Sequence, residues 1–118
     1  MENIKKTIRA ALALTMILLC ACSSRRSEPI KGPMAITSEE VLQGRRLFMA
    51  HCHKCHPYGE AGLGPAINNN PSPGFVKRFQ VRHGLGVMPS FKSDEISKQD
   101  LRNITKYLKD LRRHRKCP

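Results

Sequence analysis

The stretch His51-Cys52-His53-Lys54-Cys55-His56 contains two cysteines three positions apart, with a histidine directly after the second. Cys-x-x-Cys-His is the spacing of c-type haem attachment. The two thiols can add across the two vinyl groups of one porphyrin, and His56 is then held beneath the iron, where an imidazole nitrogen can bind it. The motif therefore predicts one haem c per chain, held by Cys52, Cys55 and His56, with a sixth iron ligand supplied from elsewhere.

Two other kinds of site use cysteine pairs of this spacing, a redox dithiol and a zinc centre. A thioredoxin-like dithiol lies near a βαβ pattern, and the sequence around Cys52 and Cys55 shows no strands of that kind. A zinc centre takes four ligands. The motif can supply three of them, but no second Cys/His pair follows at zinc-finger spacing. The pattern favours haem over both alternatives.

The sequence around the motif resembles the small class I bacterial cytochrome c family. The resemblance extends over about residues 37–111 and rests on the motif and these further features: Gly44 and Phe48 before it, Pro65 after it, Met88 before Pro89, and Tyr107-Leu108 near the end. It implies an all-α fold, the small cytochrome c-like fold, in which three to four helices wrap around one covalently bound haem. It also implies an electron-transfer protein and not an enzyme.

The same resemblance implies roles for three residues outside the motif. Met88 lies in a glycine-rich segment that cannot be regular helix, at the position of the family's sixth iron ligand. The Pro65 carbonyl would accept a hydrogen bond from the second imidazole nitrogen of His56, a contact that orients a metal-bound histidine. Gly44, which has no Cβ, would let the last helix cross the first one closely.

Apolar residues at helical spacing predict three helices between positions 37 and 111. Their start signals are two capping boxes and one serine before a proline: Thr37 with Glu40, Ser97 with Asp100, and Ser72 with Pro73. Glycines and prolines in 57–65 predict an irregular loop after the motif. We interpret Asn68 to Asn70 as turn formers. Arg82 and His83, at the end of the middle helix, could reach a haem propionate, but we favour a solvated helix terminus that attracts cations as the interpretation of both.

The N-terminal residues have the organisation of an export signal. Three basic residues precede the almost wholly apolar run 10–19, which is shorter than the roughly 20 residues that span a bilayer. Leu19-Cys20-Ala21-Cys22 then resembles the bacterial lipoprotein processing box, which implies lipid on Cys22. An ordinary signal peptide cut at the same bond is the alternative, and it would give a soluble periplasmic protein.

These features divide the chain into a lipoprotein-type signal peptide at 1–21, a flexible tether at 22–36 and a cytochrome c domain at 37–118. The tether is rich in charged and small residues and has no apolar periodicity. The lipid would anchor the domain at the periplasmic face of a bacterial membrane. The signal, the lipid and the haem would account for four of the five cysteines. Cys117 remains as a tail thiol that can stay free or pair between chains.

Histidine and methionine on opposite sides of the iron would leave no open position for a substrate. The expected function is therefore transfer of single electrons between respiratory-chain partners. Two alternatives stay open. In one, Met88 is displaceable, or gives way to another histidine, and the protein is a haem-based ligand sensor or small peroxidase. In the other, the protein is a fixed haem subunit of an oxidase or reductase complex.

The net charge is +12, and it falls to +10 without residues 1–21, which hold three basic side chains and one acidic. A basic surface predicts docking on a redox partner with an acidic surface, which would be an oxidase, a reductase or another cytochrome. Attraction to anionic lipid near the anchor is the alternative. Nucleic-acid binding does not fit an exported chain.

Overall fold

The computed structural model describes residues 1–20 and 33–114, without the side chains of 17–20. They form four α-helices and one short 3₁₀ turn at Pro57–Gly59. The helices are α1 at Glu2–Cys20, α2 at Glu39–His51, α3 at Gly74–His83 and α4 at Lys98–His114. The described residues contain no strand beyond one isolated bridge between Leu85 and Met88. The prediction of an all-α fold is confirmed.

Helix α1 coincides with the predicted signal sequence, and its side chains from Glu2 to Met16 are all exposed. None of the helices in the described ranges combines the length and the hydrophobicity that a membrane span requires. Cys22 and Cys117 lie outside the described residues, as does most of the predicted tether. Near the end of that tether, however, Met34 packs against the core, so ordered contacts begin before residue 37.

Helices α2 and α4 cross in direct backbone contact at Gly44. A Cβ built on Gly44 would overlap the carbonyl of Asn103, with the carbonyl carbon only 2.5 Å away and Ile104 N 3.1 Å away. Only a residue without a side chain permits this approach. The sequence predicts that the helix before the motif, which is α2, crosses the last helix, α4, at Gly44. That prediction is confirmed.

The core lies mainly along this crossing. Phe48 of α2 and Tyr107 of α4 pack with their ring centroids 5.3 Å apart. The other buried apolar side chains come from α2, α4 and the segment before α4: Val41, Ile96, Leu101, Ile104, Leu108 and Leu111. In contrast, no residue of α3 is fully buried. Of the two helices that flank the motif in sequence, α2 therefore contributes fully buried residues to the core and α3 contributes none.

Helix α2 begins one residue later than its predicted capping box. Ser38, not Thr37, is the N-cap, and its hydroxyl accepts a hydrogen bond from the Val41 amide at 3.3 Å. The Thr37 hydroxyl instead donates to the carboxylate of Asp110 on α4. Both residues are good N-caps, so the choice between them is made by this long-range bond, which local sequence does not reveal.

The other two start signals gave one correct and one shifted helix. Ser97 caps α4 as predicted, because its hydroxyl accepts from the Asp100 amide at 3.1 Å and donates to the Asp100 carboxylate at 2.8 Å. For α3 the prediction was one residue early, since the N-cap is Pro73 and the helix begins at Gly74. The Ser72 amide donates to the side chain of Asn70, which forms a turn before the helix.

Candidate haem site

The motif begins where α2 ends. Helix α2 ends at His51, and Cys52 is its C-cap, with its amide donating to the Phe48 carbonyl at 2.8 Å. The next turn folds back on the same residue, because the Cys52 carbonyl accepts from the Cys55 amide at 3.2 Å and the His56 amide at 2.9 Å. Cys52, Cys55 and His56 are thus held in one tight turn at the helix terminus.

Cys52 and Cys55 are both half-buried free thiols. Burial, together with the smaller effect of the nearby Cys55, raises the pKa of the Cys52 thiol to about 11. The Cys52 sulfur is therefore uncharged at neutral pH. A thioether is also uncharged, so this environment fits a sulfur that is alkylated by a porphyrin vinyl group.

His56 is 7% exposed, and one nitrogen of its imidazole ring makes a hydrogen bond. Nδ1 lies 2.8 Å from the Pro65 carbonyl oxygen. A carbonyl can only accept, so Nδ1 carries the proton and donates. In the neutral imidazole, Nε2 then keeps its lone pair, which is the state required of a metal ligand. The contact that the resemblance implied for Pro65 is present.

Gly64 packs against the face of the His56 ring. A Cβ on Gly64 would lie 2.8 Å from Nε2 and 2.9 Å from Nδ1 of His56. The loop that brings Gly64 there is closed by its own amide, which donates to the Cys55 carbonyl at 2.8 Å. From the sequence, Gly64 was identified only as the neighbour of Pro65, and its contact with the His56 ring was not predicted. The available signal was a glycine directly before the residue whose carbonyl is the predicted hydrogen-bond acceptor.

Asn68 is a second residue near the site with more than the predicted role. The asparagines do form turns, since the first two of them lie in the turn closed by the Asn70 amide and the Ile67 carbonyl at 3.2 Å, but Asn68 is also fully buried. Its amide and that of Ile67 both donate to the Gly59 carbonyl at 2.8 Å. Gly59 has φ 81°, and a Cβ there would lie 3.0 Å from Cβ of Asn68. Asn68 is therefore packed beneath the turn that follows His56. Three consecutive asparagines gave no means of selecting it.

Met88 closes a tight turn on a separate segment. Leu85 and Met88 exchange two backbone hydrogen bonds, of 3.2 and 3.0 Å, across Gly86 and Val87, and Gly86 has φ 59°. This is the geometry of a two-residue turn with glycine at its first central position. Gly84, at φ 70°, approaches Met88 so closely that a Cβ would lie 2.5 Å from the Met88 carbonyl oxygen. The Met88 side chain is half-buried.

The site residues thus fall into two groups. Cys52, Cys55, His56 and Pro65 are joined directly by the hydrogen bonds of the motif and its loop. Met88 is joined to the end of α3. Its segment reaches the motif through Phe91, whose ring contacts the His51 ring edge-on with centroids 6.0 Å apart.

Large apolar side chains lie exposed on α3 and on the loops beside the motif. Phe75 and Phe79 of α3 are 66% and 62% exposed, and Val87 beside Met88 is 94% exposed. Leu63 and Leu85 are exposed as well. Exposed apolar side chains that lie together mark the site of a ligand or a partner. A neutral Cys52 thiol beside a second cysteine, an imidazole with a free Nε2, a thioether and exposed apolar side chains are groups that fit haem c.

The other histidines have partners of their own. Nδ1 of His53 accepts from the Tyr58 amide at 3.2 Å, in a turn where Tyr58 has φ 52°. Nδ1 of His83 lies 2.9 Å from the Phe79 carbonyl, and its ring stacks on Phe79 with centroids 4.0 Å apart. Across the described residues, no group of three or more His, Cys, Asp or Glu side chains is placed to hold a metal ion, as zinc would need.

A family model described as cytochrome c oxidase, cbb3-type, subunit III matches residues 39–108, which is more than half of the chain. The chain belongs to this family. No curated protein and no solved structure shows a significant match to it. The matched range begins at the first residue of α2 and ends at Leu108 in α4, so it contains the motif, Pro65 and Met88.

Membership confirms two sequence-based predictions about this cytochrome. It is a small monohaem cytochrome c domain, and its cofactor is covalently attached haem c with its iron. A cytochrome c domain of this kind transfers electrons by means of its haem.

Proposed function

We propose that this cytochrome carries single electrons between redox proteins of a respiratory chain through a haem ligated by His56 and Met88. Cys52 and Cys55 are the attachment residues. The observation that carries the proposal is the contact between His56 Nδ1 and the Pro65 carbonyl oxygen, because it fixes the tautomer and leaves Nε2 for iron. Haem c, when bound, would supply the reversible gain and loss of one electron at its iron.

The chain's own residues account for the other requirements of electron transfer. The motif turn and the loop over His56 hold the imidazole in one orientation, so little has to move when the charge changes. The turn at 85–88 holds the Met88 backbone in the same way. A thioether ligand raises the reduction potential relative to a second histidine, which suits the oxidising end of a chain.

The visible spectrum of the purified protein in both redox states tests this ligation. We expect a low-spin spectrum with the sulfur-to-ferric charge-transfer band near the red edge. Met88→Ala should abolish that band and admit carbon monoxide, whereas Met49→Ala should leave both unchanged, because Met49 packs against the core from α2. A wild-type spectrum without the band would refute Met88 as ligand. Haem that extracts into acid acetone would refute attachment at Cys52 and Cys55.

A fixed haem subunit is the second candidate, and the family description favours it, since it names a subunit of a cbb3-type oxidase. Purification under mild detergent distinguishes the two. A diffusing carrier should separate from any oxidase at physiological salt, whereas a fixed subunit should remain in a stoichiometric complex.

A haem-based sensor or small peroxidase is the third candidate. It is supported by the exposure of Leu85 and Val87 beside Met88, which places the turn near solvent. A native protein that binds carbon monoxide without mutation would favour this candidate over electron transfer.

The proposed location is the periplasmic face of a bacterial membrane, with lipid on Cys22. The partner is a redox protein with an acidic surface, and nucleic acid is not a partner. Detergent phase partitioning tests the anchor. Cys22→Ser should move the protein to the aqueous phase, and a variant that still partitions like the wild type would remove the anchor and leave a soluble periplasmic protein or an uncleaved signal.

A further inference from the structure

The segment that carries Met88 is fastened to the end of α3 on both sides. Before Met88, Gly84 packs directly on the Met88 carbonyl, and Leu85 pairs with Met88 across the turn. After Met88, the Phe91 amide donates to the Val81 carbonyl at 2.9 Å. Between these two attachments lies Met88-Pro89-Ser90, which makes no backbone hydrogen bond to α3 within the described ranges.

Arg82 adds side-chain hydrogen bonds to the second attachment, the one that follows Met88. Its Nη1 donates to the carbonyl oxygens of both Phe91 and Lys92, each at 3.0 Å. Within the described ranges no carboxylate lies at ion-pair distance from Arg82, so its charge is directed at these two carbonyls. Hydrogen bonds from an ionised donor are stronger than neutral ones, and a guanidinium stays ionised at every accessible pH. Arg82 lies in the last turn of α3, as predicted, but its guanidinium is bonded to these carbonyls and is not simply solvated.

The carbonyls that Arg82 holds also belong to the start of the connection to α4. The Lys92 carbonyl accepts from the amide of Ile96, which is fully buried in the core. The Lys92 amide donates to the Glu95 carboxylate at 2.8 Å. Arg82 therefore joins the end of α3 to a point that is itself anchored in the core, three to four residues after Met88.

We propose that Arg82 is a positioning residue for Met88, which keeps the 85–92 segment closed and so limits displacement of the thioether from the iron. The proposal rests on the proposed ligation by Met88. An external ligand can occupy the thioether's position only when the segment opens. Its apparent dissociation constant is therefore the intrinsic one divided by the fraction of open protein. Removal of the Arg82 bonds raises that fraction.

Imidazole titration of the ferric holoprotein, followed by loss of the sulfur charge-transfer band, measures this fraction. For Arg82→Gln we expect half-displacement at about a tenfold lower imidazole concentration, which corresponds to about 1.4 kcal/mol. Arg78→Gln is the matched control, since it removes the same charge one turn earlier on α3, and its midpoint should stay within about twofold of the wild type. Arg82→Lys retains the charge without the planar fork and should give a smaller shift in the same direction.

An Arg82→Gln midpoint equal to that of the wild type would overturn the proposal, as would an equal shift in Arg78→Gln. If Arg82→Gln does not mature, the Arg82→Lys midpoint decides in the same manner. A wild type that has the charge-transfer band, together with an unshifted Arg82→Gln, refutes only the role of Arg82. A wild type without the band refutes Met88 ligation, and the positioning role with it.

Discussion

His56 is held by contacts to its backbone amide, its backbone carbonyl and its imidazole ring. Its amide donates to the Cys52 carbonyl and its carbonyl accepts from the Gly59 amide, each at 2.9 Å. Its ring is held by Pro65 at Nδ1 and covered on one face by Gly64. A side chain that is already immobile loses little conformational entropy when it binds a metal. The rigidity needed for small reorganisation is therefore built into the loop.

Gly64→Ala should disturb this arrangement more than any nearby surface change. The new methyl group would overlap the His56 ring, so the ring must turn away from Pro65 or the loop must move. We expect a loss of about 1–3 kcal/mol in the free energy of unfolding, which is typical of overpacking, and a changed reduction potential. Guanidinium denaturation and redox titration measure the two effects.

Gly74→Ala provides the control for this substitution. The nearest atom to a Cβ on Gly74 is the end of the flexible Arg78 side chain, at 2.9 Å, and Gly74 is the first residue of α3. Alanine there should be neutral or stabilise by up to about 1 kcal/mol. Equal effects of the two alanines would show that Gly64 has no special relation to His56.

Tyr107 should make stability depend on alkaline pH. Burial raises the pKa of Tyr107 above its usual value, and the nearby Arg45 lowers it only in part. The unfolded tyrosine ionises first as the pH passes about 10, so the unfolded state holds fewer protons and the free energy of unfolding falls. Below pH 10 the contribution is fully present.

Denaturation midpoints from pH 8 to 11 measure this effect as a difference between the wild type and Tyr107→Phe. The variant should lose less stability above pH 10. Tyr58→Phe is the control, because Tyr58 is exposed, and it should follow the wild-type slope. Parallel curves for the wild type and Tyr107→Phe would contradict the prediction.

Among the helices, the crossing of α2 and α4 has the least tolerance for change. Gly44→Ala should reduce the free energy of unfolding by at least about 3 kcal/mol, because the new methyl group overlaps backbone and no rotamer change can relieve it. Gly74→Ala again serves as the control in thermal or guanidinium unfolding. A loss below 1 kcal/mol at Gly44 would mean that the helices can separate easily.

This crossing could be predicted from the sequence because it depends on local signals. Helical apolar spacing and a glycine at a recognisable position are visible in one dimension, and they gave α2, α4 and their contact correctly. The motif was visible for the same reason. Ser97 could be identified as a cap because its partner Asp100 is only three residues away.

What the sequence could not predict depends on partners distant along the chain. Thr37 lost its capping role to a bond with Asp110, 73 residues away. Arg82 was assigned to solvent because Phe91 and Lys92, its acceptors, offer only backbone carbonyls, which leave no sequence pattern. Asn68 is buried by the fold of a loop and not by an apolar pattern. Tertiary contacts decided all three.

On the scale of the whole molecule, the excess of positive charge is the dominant surface property. Several of the described acidic side chains already pair with basic ones, as Glu39 does with Arg46 at 3.8 Å and Glu40 with Lys106. Exposed pairs of this kind contribute little to stability. They do neutralise acidic groups, so the field that a partner meets is mainly that of the unpaired lysines and arginines. Lys54, between the two motif cysteines, is exposed and belongs to this set.

Electron transfer to an acidic redox partner should therefore slow steeply as ionic strength rises. The test uses a protein that lacks residues 1–33, and no membrane is present. This truncation retains the core, since every buried apolar residue of the core lies between Val41 and Leu111. Steering by charge can raise association rates about 10- to 10³-fold at low salt, and the gain disappears as the Debye length shortens to about 8 Å. Stopped-flow absorbance of the haem measures the rate.

The position of Lys54 allows the test to separate docking at the haem from attraction by net charge. Lys54→Glu reverses a charge beside Cys52 and Cys55, the proposed attachment residues, and Lys109→Glu makes the same change on the exposed face of α4. If the partner docks where the haem is attached, the first variant should lower the low-salt rate several-fold more than the second, and the two should converge at high salt. Equal slowing by both variants would indicate steering by net charge alone. A rate that does not change with salt would contradict docking on an acidic surface and would assign the basic surface to anionic lipid instead.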